Sequence, residues 1–237
     1  MAMSSFQFKQ FSVEQKHSAL KLGTDAILLG ALTTFHNPNA ILDIGTGMGI
    51  LALMMAQRYD CPITAIDIDD GAICDAQKNC TESPWHERIS VECRSLQDFS
   101  NETELKFDGI ICNPPFFTNS LPNPSIAKTM ARHTVSLTPN DLFCAIDSLL
   151  TETGIATIII PTSEKQLFIE STQKYKLHSI KEVAIYPFAT SETPNRAVLS
   201  FSKKWSGFQK TQIHIRENDN KYTSEYKDLT KDFYIKL

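Results

Sequence analysis

Four consecutive residues, Asn113, Pro114, Pro115 and Phe116, carry the groups in this sequence that are best suited to chemistry. They follow an apolar run, Phe107–Cys112, which predicts a buried strand. An asparagine carbonyl beside a backbone carbonyl without neighbouring N–H donors offers two acceptors to one planar NH2 group. The phenylalanine next to them can stack on the ring that bears the amine. The run therefore predicts a loop that binds an exocyclic or amide NH2 group, although a proline-rich turn that only ends a strand has the same composition.

A glycine turn lies earlier in the chain, where an apolar run leads into Gly45, Gly47 and Gly49. The apolar residues 50–57 predict the helix that follows the turn. Glycines let the backbone approach a ligand closely, and the start of a helix favours a carboxylate or a phosphate. A dinucleotide fingerprint would need its third glycine at Ile50, so the spacing disfavours NAD and indicates another nucleoside cofactor.

A carboxylate ends the second predicted strand, residues 61–67. Asp67 falls at the distance along a βαβ unit that places an acid beside a ribose, where it can accept hydrogen bonds from two hydroxyls. A helix cap is the alternative role, but Asp69 and Asp70 are better placed to cap the helix predicted over 71–80. We therefore expect Asp67 to bind a cofactor ribose.

The order of these three motifs resembles that of the class I S-adenosylmethionine-dependent methyltransferases, over residues 1–204. The resemblance implies an α/β, Rossmann-like fold with a seven-stranded, mostly parallel sheet, one antiparallel strand, and helices on both faces. It implies S-adenosyl-L-methionine as the cofactor and catalysis by Asn113, Pro114 and Phe116 without a metal. The implied cofactor contacts are Asp43, Gly45, Thr46, Gly47, Gly49, Asp67, Ile68, Ser95, Leu96 and Asn113.

One position departs from this family. Its members usually place an acid after the third strand to bind the cofactor adenine, and the strand predicted over 89–94 puts Ser95 there. Asp98 is the nearest acid that can substitute, after a local shift. The departure leaves open which of these two residues contacts the adenine.

The remaining apolar runs continue an alternation of strands and helices. Helices are predicted over 140–150 and over 163–174, the second capped by Ser163. Strands are predicted over 154–161, over 177–186 and over Arg196–Ser202, the last two as an antiparallel hairpin.

The two ends of the chain narrow the resemblance. Residues 6–13 alternate like a hairpin strand, Thr24 and Asp25 are expected to cap the next helix, and residues 222–236 predict a small helix with aromatic anchors. Together they resemble the bacterial tRNA (adenine-N6)-methyltransferases that act at position 37 of valine tRNA. The expected substrate contacts are Lys21, Pro115, Phe116, Phe117 and Arg132, although Phe117 is equally well explained as a core residue.

Other substrates with planar NH2 groups stay open, because guanine N2 in ribosomal RNA and a glutamine side-chain amide would suit the same loop. A glutamine enzyme usually carries an additional amino-terminal helical domain, for which the residues before Gly23 leave no room, and the guanine enzymes often duplicate this domain. A non-catalytic RNA-binding protein with the same fold is a further alternative. The single copy and the intact motifs favour adenine in tRNA.

Composition limits the remaining choices. The 237 residues, 42% of them hydrophobic, suit one domain, divided into a flank over 1–35, a core over 36–204 and an extension over 205–237. A net charge of −4 means that any RNA contact is a local patch, for which Lys203 and Lys204 are among the candidates. We expect the protein to act in the cytoplasm, because its sequence shows no membrane span and no signal peptide, and we take a monomer as the default. Six scattered cysteines predict small core residues and neither zinc nor disulfides.

Overall fold

The computed structural model describes residues 5–18, 21–114 and 137–236. The strands are β1 (Ser5–Gln7), β2 (Ser12–Glu14), β3 (Ile41–Ile44), β4 (Ile63–Asp67), β5 (Ile89–Cys93), β6 (Phe107–Cys112), β7 (Leu150–Pro161), β8 (His178–Phe188), β9 (Arg196–Ser202) and β10 (Gln209–Arg216). The α-helices are α1 (Thr24–Leu32), α2 (Ile50–Arg58), α3 (Asp70–Thr81), α4 (Leu96–Glu102), α5 (Pro139–Leu149), α6 (Lys165–Thr172) and α7 (Ser224–Thr230).

Eight strands form the central sheet, in the order β10-β8-β9-β7-β6-β3-β4-β5. Strand β9 is antiparallel to both of its neighbours, β7 and β8, and the other pairings are parallel. The prediction of a mostly parallel sheet with one antiparallel strand is confirmed. The predicted number of seven strands is wrong, because β10 joins the edge of the sheet beside β8.

Alternate residues of the strands face two hydrophobic cores. On β3, Ile41 belongs to the core beneath α1, α2 and α7, whereas Leu42 belongs to the core beneath α4, α5 and α6. Both side chains are fully buried. Because a strand that is covered on both faces has no solvent side, its sequence is a continuous apolar run, which is the pattern that predicted these strands.

The carboxyl-terminal residues pack against the amino-terminal hairpin formed by β1 and β2. The Lys9 N–H donates to the Phe233 carbonyl at 2.8 Å, and Gln57 Nε2 donates to the Asp232 carbonyl at 2.9 Å. Tyr226 and Phe233 are buried, as expected of aromatic anchors. The predicted small helix is α7, and its cap is Thr223, whose hydroxyl accepts from the Tyr226 N–H.

Two predicted helix caps are wrong. Gly23 precedes α1 without any side-chain cap, and Asp25 instead accepts a hydrogen bond from Arg196 Nε of β9 at 2.9 Å. Ser163 lies in a short 3-10 helix, Thr162–Glu164, so that α6 begins only at Lys165. The cap predicted for α3 is correct, because Asp69 accepts from the backbone N–H groups that follow it.

All six cysteines are free thiols. Three are buried, as predicted: Cys61, Cys80 and Cys112. Three are exposed, against the prediction: Cys74, Cys93 and Cys144. In the described ranges, no three His, Cys, Asp or Glu side chains are grouped to hold a metal ion, and no helix has the length and apolarity to cross a bilayer.

Candidate cofactor and substrate site

The candidate residues lie along the edge of the sheet that is formed by the carboxyl ends of its parallel strands, because all of these ends point the same way. Strands β6, β3, β4 and β5 are consecutive neighbours there. They end next to Asn113, Gly45, Asp67 and Ser95, in that order across the sheet. The fold thus brings together four motifs that are separated by up to about 70 residues in sequence, as ligand sites in open parallel sheets usually are.

The glycine turn has the backbone shape that its sequence predicts. Gly45, Gly47 and Gly49 have φ angles of +68°, +55° and +86°, a region that side-chain-bearing residues rarely adopt. A Cβ atom added to Gly45 or Gly47 would meet no atom of the described residues within 4 Å, whereas one on Gly49 would lie 3.2 Å from Cys80 Sγ. The first two glycines therefore border open space, and the third packs against α3.

Asp43 supports the turn from inside the protein. Its Oδ2 atom accepts from Thr46 Oγ1 at 2.6 Å and from the Ala52 N–H at 3.0 Å. The second bond caps α2, because the residue at the N-cap position is Gly49, which has no side chain to do so. Burial raises the pKa of this carboxyl group to about 7, against the lowering effect of those two hydrogen bonds. Its Oδ1 atom is buried and has no hydrogen-bond partner among the described residues.

Asp67 joins the second strand to the glycine turn. Its two carboxylate oxygens accept from the Gly47 N–H at 2.8 Å and from the Asp69 N–H at 2.9 Å. Burial raises the pKa of Asp67, and these backbone donors partly offset that rise. The acid is thus held in one orientation beside the turn.

Asn113 follows β6 at the centre of this edge. Its Oδ1 atom is buried and has no hydrogen-bond partner among the described residues. The neighbouring Pro114 is also buried and supplies a carbonyl but no N–H. A buried carbonyl oxygen without a donor destabilises the folded protein by about 1–3 kcal/mol. We therefore expect a donor from outside the described residues at this oxygen.

A hollow of about 390 Å³ lies beyond Asp67, next to the ends of β4 and β5. Ile68, Ser95 and Asp98 line it, whereas Leu96 is buried beneath. Ser95 caps α4: its Oγ atom accepts from the Asp98 N–H at 3.0 Å and donates to Asp98 Oδ2 at 2.7 Å. Ser95, which occupies the position of the family's usual acid, therefore already uses its hydroxyl group in hydrogen bonds to Asp98.

The predicted substrate contacts are only partly described. Lys21 is exposed, and its ammonium donates to the Gln15 carbonyl at 2.7 Å, so that it braces its own loop. Four of the predicted contacts lie outside the described residues: Pro115, Phe116, Phe117 and Arg132. Lys203 and Lys204 directly follow β9. Because β9 is antiparallel, they lie at the amino ends of the parallel strands, whereas Asn113 lies at the carboxyl ends.

Sequence reasoning missed two buried polar residues of α3 that hold the amino-terminal segment beside the turn. Asn79 Nδ2 donates to the carbonyls of Met48 and Glu14, both at 2.9 Å, and Asp75 Oδ2 accepts from the His17 and Ser18 N–H groups at 2.9 and 2.8 Å. In the sequence both look like polar positions of a helix. The available signal was the interruption of the apolar face of α3, which alone does not name a partner.

The donors and acceptors at this edge fit a nucleoside with an amino acid attached. No described residue fills the space beside Gly45 and Gly47, a fixed carboxylate stands next to this space, and the buried Asn113 Oδ1 atom has no donor among the described residues. The sheet order with its single reversed strand and the position of the glycine turn define a class I methyltransferase, a class whose methyl donor is S-adenosylmethionine.

Comparison with known proteins agrees with this class and narrows it. The Methyltransferase small domain family matches residues 16–144. Two relatives named tRNA1(Val) (adenine(37)-N6)-methyltransferase, from Flavobacterium psychrophilum and Bacteroides fragilis, are 40% and 36% identical to the chain. Those alignments cover 98% and 100% of this chain and 100% of both relatives. The chain belongs to the family of tRNA1(Val) (adenine(37)-N6)-methyltransferases.

Solved structures support the fold alone, because their sequences are distant. A predicted O-methyltransferase from Agrobacterium tumefaciens superimposes with a TM-score of 0.69 at 17% identity, over 88% of this chain and 96% of that one. A methyltransferase from Pyrococcus furiosus gives a TM-score of 0.57 at 20% identity, over 81% of this chain and 90% of that one.

Proposed function

We propose that the protein transfers the methyl group of S-adenosylmethionine to the N6 amine of an adenine in tRNA, at position 37 of valine tRNA. The full-length similarity to relatives of that name supports the substrate. The proposal treats residues 1–237 as one methyltransferase domain that acts in the cytoplasm as a monomer. It favours adenine over guanine N2 and over a glutamine amide.

The observation that carries the proposal is the buried Oδ1 atom of Asn113, which has no hydrogen-bond partner among the described residues. An exocyclic amine has two hydrogens in the plane of its ring, and two acceptors are needed to hold it. Asn113 Oδ1 is one acceptor, and the Pro114 carbonyl is the other. Since Asn113 directly follows buried β6, the clamp is fixed before the substrate arrives, and little entropy remains to be lost on binding.

The cofactor residues are proposed on their geometry. Gly45 and Gly47 would let the amino acid part of the cofactor approach the backbone, and Asp67 would accept hydrogen bonds from its ribose hydroxyls. Asp43 is fully buried, so its main contribution is to shape the turn through Thr46 and Ala52. Bound S-adenosylmethionine supplies an electrophilic methyl group on a positively charged sulfur, which leaves as the neutral thioether.

Catalysis by the chain consists of orientation and charge stabilisation. When Asn113 and Pro114 accept the two amine hydrogens, the nitrogen lone pair is directed out of the ring plane toward the glycine turn. The same two acceptors stabilise the positive charge that builds on N6 as the N–C bond forms. The extra proton then passes to water. Phe116 is proposed to stack on the substrate base, which is easier to extrude from an anticodon loop than from a duplex.

The test is nucleoside analysis of tRNA that lacks the modification, after incubation with the purified protein and methyl-labelled S-adenosylmethionine. Wild-type protein should produce labelled N6-methyladenosine in valine tRNA. Asn113→Ala should lower turnover by roughly 10²-fold, because it removes one acceptor. Asn218→Ala is the matched control, since Asn218 is an exposed asparagine in the turn after β10 and should leave turnover unchanged.

Two results would refute the proposal in different ways. Label that appears in ribosomal RNA or protein but not in tRNA would contradict the substrate and keep the reaction. Wild-type turnover in Asn113→Ala would contradict the clamp, even if the product were N6-methyladenosine.

A further inference from the structure

A basic patch, formed by residues 173–181 and 203–211, lies on the surface far from Asn113. The first segment leads into β8, and the second follows β9 and leads into β10. Together they contain six lysines and no aspartate or glutamate, although the whole chain has a net charge of −4. The lysines are Lys174, Lys176, Lys181, Lys203, Lys204 and Lys210.

The sheet brings the two segments together, because β8 lies between β9 and β10. His178 pairs with Ser202 at the end of β9, and Lys181 pairs with Gln209 at the start of β10. Lysines gathered on one surface repel one another and attract anions. A cluster of this kind is the electrostatic mark of a nucleic-acid contact, even in a protein that is acidic overall.

Most of this charge is not neutralised by the protein itself. Lys203 Nζ lies 3.7 Å from Glu152 Oε1 and 3.9 Å from Asp147 Oδ1. Lys210 Nζ lies 3.5 Å from Glu182 Oε1. The other four lysines form no ion pair with the described residues, so their charge is available to a partner.

Two aromatic rings stand among these lysines. Trp205 is 58% exposed and Phe208 is 48% exposed, and the Trp205 ring contacts the ring of His178 with centroids 5.9 Å apart. Exposed flat rings beside lysines suit unpaired nucleotides, because bases stack on the rings while phosphates lie at the ammonium groups. A duplex keeps its bases stacked inside and cannot use such rings.

The position of the basic patch separates it from the methyl-transfer site. It lies at the amino ends of the parallel strands, and Asn113 lies at their carboxyl ends. Strand β8 has 11 residues, which at about 3.3 Å each place its two ends roughly 33 Å apart. Nucleotides at the basic patch and an adenine at Asn113 therefore belong to different parts of one RNA.

We propose that the basic patch binds an unpaired segment of the substrate tRNA that lies outside the anticodon arm, with Trp205 and Phe208 as stacking platforms. This inference rests on the proposed function, because it takes tRNA as the substrate. An anionic membrane surface would also attract lysines beside a tryptophan. Within these two segments, which the structure describes in full, only Trp205 and Phe208 are large, exposed hydrophobic side chains, and two rings bury little apolar area in a bilayer.

The experiment measures fluorescence anisotropy with two labelled RNAs, unmodified full-length valine tRNA and its isolated anticodon stem-loop. The wild type should bind the full-length tRNA more tightly, because only this RNA reaches the basic patch. Lys176→Gln combined with Lys204→Gln should weaken this binding and leave the affinity for the stem-loop unchanged. The slope of log Kd against log salt for full-length tRNA should fall by about 1.4, or about 0.7 for each phosphate contact to a single strand.

The matched control removes the same charge elsewhere. Lys227→Gln combined with Lys231→Gln replaces two exposed lysines in and just after α7, and it should keep the wild-type dissociation constants for both RNAs. Thermal unfolding of each variant would confirm that it is folded.

Trp205→Leu separates base stacking from simple apolar contact, because leucine is apolar but has no flat ring. We expect it to raise the dissociation constant for full-length tRNA by about 5-fold to 150-fold and to leave that for the stem-loop unchanged. Insertion into a membrane would tolerate leucine. Sedimentation with vesicles of phosphatidylcholine and phosphatidylserine tests that alternative.

Four outcomes would overturn the inference and keep the methyltransferase proposal. The first is wild-type affinity for tRNA in Trp205→Leu and in the double variant of Lys176 and Lys204. The second is an equal loss in the control pair, which would make the net charge responsible. The third is an equal loss for the stem-loop and the full-length tRNA, which would place the contact within the anticodon arm. The fourth is vesicle binding that survives Trp205→Leu while tRNA affinity is unchanged.

The proposed function fails separately from this inference. If the wild type binds tRNA through the basic patch but forms no labelled N6-methyladenosine in it, the reaction is wrong and the RNA contact stands. If the wild type binds neither RNA, both are overturned.

Discussion

Replacement of Gly47 by alanine should have two separate effects. Backbone strain should lower the free energy of unfolding, and the added methyl group should weaken ligand binding. Gly47 has φ +55°, where a side chain costs about 1–2 kcal/mol, and alanine regains about 0.4–1 kcal/mol through the unfolded state. We expect the free energy of unfolding in urea to fall by about 1 kcal/mol. The added Cβ meets no atom of the described residues within 4 Å, so these residues add no steric cost.

The effect of Gly47→Ala on ligand binding should be larger than its effect on stability. A methyl group in the space that borders the turn would press on the ligand, at a cost of about 1–3 kcal/mol by analogy with an overpacked core. This corresponds to a dissociation constant for S-adenosylhomocysteine that is raised about 5-fold to 150-fold. Isothermal titration calorimetry measures it directly.

Gly207 supplies the control, because it also has a positive φ and lies away from the proposed site. Its φ is +93°, a Cβ added to it would meet no atom of the described residues within 4 Å, and it lies between β9 and β10, at the opposite end of the strands from the glycine turn. Gly207→Ala should lose similar stability and keep the wild-type dissociation constant. Wild-type affinity in Gly47→Ala, or equal losses of affinity in both variants, would refute the argument that the turn is the cofactor cradle.

Two more predictions concern buried polar residues. Because the pKa of Asp43 is about 7 in the folded protein against 3.8 in the unfolded chain, the folded state retains a proton that the unfolded state loses, and stability should fall as the pH rises from about 4 to 7. In Asp43→Asn, the free energy of unfolding measured in urea should fall less over this pH range, by up to about 4 kcal/mol. The same pH dependence in both proteins would contradict the raised pKa of Asp43. Asn79→Ala should cost about 1–3 kcal/mol of stability and weaken S-adenosylhomocysteine binding, since the Met48 carbonyl in the turn loses its donor; unchanged affinity would show that this bond does not position the turn.

The sequence predicted the centre of the fold well because its signals are local. Strands β3 and β6 and the second half of β7 are buried on both faces and appear as apolar runs, and three of the glycines with positive φ form the turn after β3. The cap of α3 was also predictable, because Asp69 bonds to backbone groups only two and three residues away.

The errors arose where distant residues decide the outcome. Strand β10 was missed because it is an edge strand in which only Ile213 is buried, so its sequence has little apolar pattern. The expected cap at Asp25 failed because Arg196, which is 171 residues away, takes its carboxylate. Likewise, only the fold shows that Ser95 donates a hydrogen bond to Asp98. It also shows that Lys203 lies at the amino ends of the parallel strands, away from Asn113 at their carboxyl ends.

The site gains its precision from the sheet and not from the loops. Asn113, Gly45 and Asp67 lie at or directly after the ends of strands whose last apolar residues, Cys112, Ile44 and Ile66, are 0–2% exposed. Strands that are packed on both faces cannot shift without opening a cavity, so their ends keep a constant separation. Methyl transfer in line needs the amine and the methyl carbon at a defined approach, and a displacement of about 1 Å can cost about 10²-fold in rate. If the proposed clamp and cofactor turn act as proposed, their places on neighbouring buried strands fix the approach of the amine to the methyl carbon, and residues further out, such as Ser95, can differ without disturbing that approach.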